Sequence, residues 1–346
     1  MLQPWKQLLI DTGAEFVDDK LVSFGNPESE RKIPPQGDMI CDLSHLGLIR
    51  VQGEDATDFL QNQLTNDIKL VTASKAQLSA WCNPKGRTIA TFIIHKNQDA
   101  YYLSLSADLM EYVLKRLQMY VMRAKVELTD VTETIVHFGF SGAHILEDWD
   151  AGSDGELASD DYGVAKAGNL SIIKTPGVEP RYEVVGEFEE ASKLWQKINA
   201  HAEPVSGEAW NYLNIAAGLP VVAKASQEVW IPQMLNLQII DGVNFQKGCF
   251  PGQEIVARLK YLGKNKRRAF RLEIATDQVP EIGELIIAEG ESAEAGKVLN
   301  AVLNPAGSVE VLAVLKIAMA DKPLFLATTD GASAKVLELP FSVDEE

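Results

Sequence analysis

The feature that most restricts the fold is a change of pattern near residue 270. Before it, strand-length alternating segments and amphipathic helices take turns; after it come short strands broken by Gly, Pro and Asp. Alternation over residues 46–51, 76–81, 88–95 and 100–105 predicts strands, and residues 55–63 and 107–120 read as helices. Glu54 and Asp55 open the first helix, and Leu109, Val113, Leu117 and Tyr120 would share one face of the second. Residues 126–130 and 134–140 return to strand pattern. A second α+β unit follows, with strands at 170–174 and 181–185 and a helix at 189–200. The punctuated stretch 270–339 suits a small barrel. Between the units, residues 147–161 carry seven acidic side chains, two glycines and no base, the composition of an exposed loop. Residues 24–36, with Pro27, Pro34 and Pro35, form a separate loop or arm.

At 346 residues the chain exceeds one typical domain, so two or three cores are expected. No run approaches the length of an apolar membrane helix. The N-terminal residues Met1 to Lys6 lack the basic-then-apolar pattern of a secretion signal, which points to the cytoplasm. Cys41, Cys82 and Cys249 are odd in number and far apart, which argues against a disulfide framework. None of the five histidines pairs with a cysteine at ligand spacing, so no metal site is expected.

A net charge of −17 opposes broad binding to nucleic acid, whose affinity rests on Lys and Arg neutralising phosphates. Arg258, Lys260, Lys264, Lys266, Arg267, Arg268 and Arg271 nevertheless form a basic run without an acidic residue. It reads either as a solvated helix-to-strand connection or as an electropositive mouth for a carboxylate-rich ligand or a phosphate.

That run follows Lys247-Gly248-Cys249-Phe250-Pro251-Gly252-Gln253-Glu254, which puts a thiol on a Gly/Pro turn ahead of a helix start. Free amides at such a start, with Lys247 nearby, favour thiolate. The same residues also suit a small buried cysteine in a tight turn. Glu254 and Arg258, four apart, would pair on a helix face or simply support it.

Lys-Gly-Cys-aromatic-x-Gly-Gln-Glu with Arg258 resembles the signature of the YgfZ family, the folate-binding, tRNA-modification-associated relatives of glycine-cleavage aminomethyltransferases. Further blocks match in order: residues 48–56 running into Leu64-Thr65-Asn66-Asp67, then Asn83-Pro84-Lys85-Gly86-Arg87, Trp210 to Pro220, and Ile231-Pro232-Gln233 with Asn236-Leu237. The resemblance implies an α+β fold of two ferredoxin-like α+β domains plus a C-terminal small β-barrel around a central channel. Its domains would be residues 1–130, completed by about 205–260 with the cysteine motif, then 131–204 and 261–346.

It also implies tetrahydrofolate or another reduced folate as cofactor, contacted by Trp210. A tryptophan on an amphipathic helix is otherwise a core residue. The family's second folate-contacting tryptophan falls at Leu46, which keeps an apolar wall but loses the indole donor. Lys247 and Arg258 would flank Cys249 beside the folate, with Gly248, Gly252, Gln253 and Glu254 shaping the motif. Aminomethyltransferase chemistry is disfavoured, because Ala90, Thr91 and Ala216 stand where those enzymes place carboxylates. The expectation is therefore an accessory protein and not an enzyme. It would maintain or assemble the iron–sulfur clusters of tRNA-thiolating enzymes through Cys249, with those enzymes or cluster-assembly proteins as partners. No strong direct contact with nucleic acid and no membrane association are expected.

Overall fold

The structure, a computed structural model, describes residues 1–34, 37–147, 149, 155–290, 294–328 and 330–343. Parts of the acidic stretch 147–161 and of the arm 24–36 thus lie outside the described residues. The chain forms two compact units, Met1–Ala56 with Leu70–Gln77 and Ile93–Leu213, and Thr57–Lys69 with Leu78–Phe92 and Asn214–Glu346.

A six-stranded sheet organises the first unit, in the order β10 (Val164–Ala167), β11 (Leu170–Thr175), β12 (Arg181–Gly186), β9 (Val136–Ser141), β3 (Met39–Asp42), β13 (Glu203–Val205). Residues 131–204 therefore do not complete this sheet alone: β3 joins β9 antiparallel, and β13 then pairs β3 in parallel. Helix α6 (Phe188–Asn199) buries Ala191, Leu194, Trp195 and Ile198, the three-and-four spacing of one helix face. Helix α1 (Gln3–Asp11) adds Trp5, which meets Trp195 edge-on at 5.1 Å. The Trp5 indole N–H donates to Asp42 Oδ1 at 2.7 Å, so its one polar atom is satisfied inside the core. A hairpin of β1 (Glu15–Val17) and β2 (Lys20–Ser23) precedes α2 (Pro27–Lys32), which Asn26 caps through Ser29 N–H.

A five-stranded sheet runs β5 (Gln77–Cys82), β6 (Thr88–Asn97), β7 (Ala100–Ser106), β4 (Leu46–Gln52), β8 (Glu127–Asp130). The strands fall within a residue or two of the expected ranges. In α4 (Met110–Val121) and the turn before it, Leu109, Val113 and Leu117 are buried as the periodicity requires, while Tyr120 points outward. The short α5 (Ala143–Glu147) sits after β9, its His144 N–H donating to Asp38 Oδ1.

In the second unit α3 (Ala56–Gln63) precedes β5. Helix α7 (Gly207–Ala216), most of it assigned to the first unit, carries the start of the Trp210 block, and α8 (Gln253–Leu262), in the second, carries the end of the cysteine motif. The unit ends in a closed barrel of β14 (Arg267–Ile274), β17 (Val309–Lys316), β16 (Glu294–Leu303), β15 (Leu285–Ala288), β18 (Leu324–Leu326) and β19 (Ser333–Leu337). Closure removes the open edges a short sheet would expose. The architecture is thus α+β with a C-terminal barrel. Among the described residues no helix is long and apolar enough to cross a membrane.

Candidate functional site

Cys249 lies on the surface, on the segment that leads into α8. That exposure removes the small-buried-cysteine reading. The other two thiols are buried, and burial pushes Cys82 up to about 12 and Cys41 well above the usual thiol value. Of the three thiols, only Cys249 is therefore one that a reagent or partner can reach as folded.

The residues on either side of it are anchored. Lys247 is 8% exposed, and its ammonium donates to the carbonyls of Gln61 and Leu64, the unpaired C-terminal end of α3. It also lies 5.3 Å from the centre of the buried Phe250 ring. Burial lowers Lys247 to about 8, offset in part by the nearby Asp67 carboxylate. Much of the cation expected at the thiol thus serves as a helix cap. Backbone N–H groups of Gln246 and Lys247 both donate to Asn244 Oδ1, and Asn244 N–H donates to Thr65 O.

The block Leu64-Thr65-Asn66-Asp67 is the cradle for this loop. Thr65 Oγ1 donates to Gly242 O, and the Asn66 amide donates to Asp241 O and Leu78 O. A third block closes it from the other end. Gly252 is left-handed at φ +81°, and a Cβ there would stand 2.5 Å from Asn83 O and 2.6 Å from the Gly86 Cα. Gly86, itself at φ +69°, meets Ile255. Only glycine fits where these two turns interlock. Three blocks far apart in sequence therefore build one rigid mount for one exposed thiol.

The helix begins at Gln253, with Gly252 as its N-cap. Its first amide is already engaged, Gln253 N–H donating to Phe250 O at 3.1 Å. The Gln253 side-chain amide reaches back to Gly248 O at 3.4 Å. Glu254 and Arg258 are both exposed, and among the described residues no ion pair joins them, which corrects the pairing expected from their spacing. Arg258 instead lines a hollow beyond the helix.

Trp210 sits in the first unit and is 1% exposed. The Arg181 guanidinium lies 5.0 Å from its ring centre, and its edge fills the notch left by the missing Cβ of Gly139. Arg181 is buried and lowered to about 10 by that burial. Next to it Glu183 accepts from His137 at 2.9 Å. Trp210 thus covers a buried charged layer, which the aromatic position alone did not reveal. Leu46 lines a space of about 10 Å³ with Trp5, Ser44 and His137, room for one water. As folded, Trp210 is fully packed and Leu46 is half-buried. Ala90 and Ala216 are buried, and Thr91 Oγ1 is committed to Pro220 O and Val222 N–H. None of these positions carries an ionisable group. Among the described residues no group of three His, Cys, Asp or Glu side chains is placed to hold a metal.

An α+β pair of sheets with a closing barrel defines the aminomethyltransferase class of fold. The chain overlays the glycine cleavage system aminomethyltransferase T of Bartonella henselae with a TM-score of 0.76 at 17% identity, covering 99% of this chain and 98% of that one. Residues 28–240 match the GCVT N-terminal domain. The tRNA-modifying protein YgfZ of Escherichia coli O45:K1 (strain S88 / ExPEC) is 31% identical over 310 residues, 88% of this chain and 94% of that protein. The same protein from Escherichia coli strain SMS-3-5 matches equally well. The chain belongs to the YgfZ family.

Proposed function

We propose that this chain is a folate-dependent accessory protein of tRNA modification, working in the cytoplasm, whose active group is the Cys249 thiol. The observation that carries the reading is the contrast among the three sulfurs. Two are sealed in the core, and the third is exposed on a loop held by Lys247, Phe250 and the Gly86–Gly252 contact. A single thiol cannot hold an iron–sulfur cluster, which takes four protein ligands. The thiol would therefore act on a cluster held by a partner, a tRNA-thiolating enzyme or a cluster-assembly protein. Folate binding is proposed from the family, with no step drawn through it. Trp210 contributes as the cover of Arg181 and not as an open stacking platform.

Against the one-carbon transferase reading stand Ala90, Thr91 and Ala216, which cannot stabilise positive charge on an amine. The test is genetic and direct. In a strain lacking this protein, Cys249→Ala should fail to restore tRNA thiolation while the purified variant still binds tetrahydrofolate. Full restoration by Cys249→Ala would sink the proposal, as would catalytic consumption of 5,10-methylene-tetrahydrofolate by the purified protein.

A further inference from the structure

Helix α8 leaves an apolar stripe uncovered. Ile255, Leu259 and Leu262 follow the three-and-four spacing of one face, and Leu262 is 85% exposed. Two hollows of about 460 and 350 Å³ run along the end of this helix and the loop after it, sharing Leu259, Gly263, Lys264 and Asn265.

Their charge is of one sign. Arg258, Lys260, Lys264, Lys266 and Arg268 line them, and among the described residues no Asp or Glu does. The rest of the basic run is treated differently: Arg271 is paired with Glu310 at 2.7 Å and Arg267 with Glu294 at 3.3 Å. Among the described residues Arg258, Lys264 and Lys266 make no ion pair. In a chain of net charge −17, Arg267 and Arg271 are thus neutralised along the barrel while, among the described residues, Arg258, Lys264 and Lys266 beside this groove are not. The larger hollow also holds an unmet acceptor. Gln233 is 2% exposed and its Oε1 has no hydrogen-bond partner, while its amide donates to Val256 O.

We infer that this groove docks an acidic, amphipathic segment of a partner protein, laid along α8 with its apolar side chains on Ile255, Leu259 and Leu262 and its carboxylates on the open cations. Carboxylates answer the charge and aliphatic side chains answer the stripe. An RNA backbone would answer the charge but leave the aliphatic stripe unmatched. The surface is independent of the thiol chemistry, so Cys249→Ala should bind as wild type does.

The probe is a fluorescent synthetic helix of about 15 residues, with leucines at three-and-four spacing and glutamates elsewhere, titrated by anisotropy. Binding should weaken by about tenfold or more in Lys264→Glu/Lys266→Glu and in Leu262→Ser, and with added salt. All three positions are surface ones, and circular dichroism checks that each variant remains folded. A lysine replica of the peptide should not bind. Absence of binding by the acidic helix overturns the inference, as does equal binding of the lysine replica. So does displacement of the peptide by tRNA with the same Lys264/Lys266 dependence, or binding of oligo-γ-glutamate without the peptide. These last two results would make the groove an RNA surface or a folate-tail subsite.

Discussion

The Cys249 loop and the Trp210 layer were both expected to be working surface, and the fold treats them in opposite ways. Around Cys249 the anchors are buried and the chemical group is exposed. Around Trp210 the aromatic group is itself the anchor, sealing Arg181, Glu183 and His137 from water. A motif's most recognisable residue can therefore be either the tool or the bolt. Burial decides which, because a side chain already in full contact has no face left for a ligand.

This contrast makes the two regions respond differently to substitution, and the largest effect belongs to the bolt. Trp210→Ala removes a fully buried indole and uncovers Arg181, so chemical denaturation should show a loss of about 3–5 kcal/mol. A loss below 1 kcal/mol, on the order of a surface change, would break the distinction. Lys247→Met leaves the Gln61 and Leu64 carbonyls without their donor at the end of α3, a loss of about 2–3 kcal/mol by the same measurement. Gly252→Ala forces a Cβ into Asn83 and Gly86 at a left-handed backbone position, at about 1–3 kcal/mol. Cys249→Ser touches none of these anchors and should change stability by no more than about 0.5 kcal/mol.

Proton linkage sharpens the contrast in a second way. Burial lowers His95, 2% exposed in the first unit, to about 3. The unfolded chain protonates this ring from about pH 6.5 downward while the folded chain does not, so stability should fall as pH drops from about 6.5 toward 3. His95→Phe should flatten that slope. Lys247 has the opposite window. Its folded value is about 8 against 10.5 when exposed, so the folded form binds fewer protons between them and stability should rise across that range. Lys247→Met should abolish the rise, and denaturation midpoints across the two windows measure both slopes.

Most strands and helices were legible because their periods of two and 3.6 survive in the sequence. The thiol motif was legible because Gly and Pro mark a backbone that ordinary residues do not adopt. What stayed hidden depends on partners distant in sequence. The carbonyls that take up the Lys247 ammonium lie 183 and 186 positions earlier. The Glu294 and Glu310 that neutralise part of the basic run sit on barrel strands whose pairing no local pattern states. Helix spacing suggested a Glu254–Arg258 pair, but an exposed pair of long side chains gains too little to be held together. For Trp210, the small residue opposite it, Gly139, was the missing clue, since a glycine in a strand interior often marks a close approach.

The most direct test of the account is alkylation of the native protein, followed by peptide mass mapping. The expected result is modification at Cys249 alone, with Cys41 and Cys82 reacting only after denaturation. Protection of Cys249 in the folded protein, or reaction of all three thiols at similar rates, would contradict it.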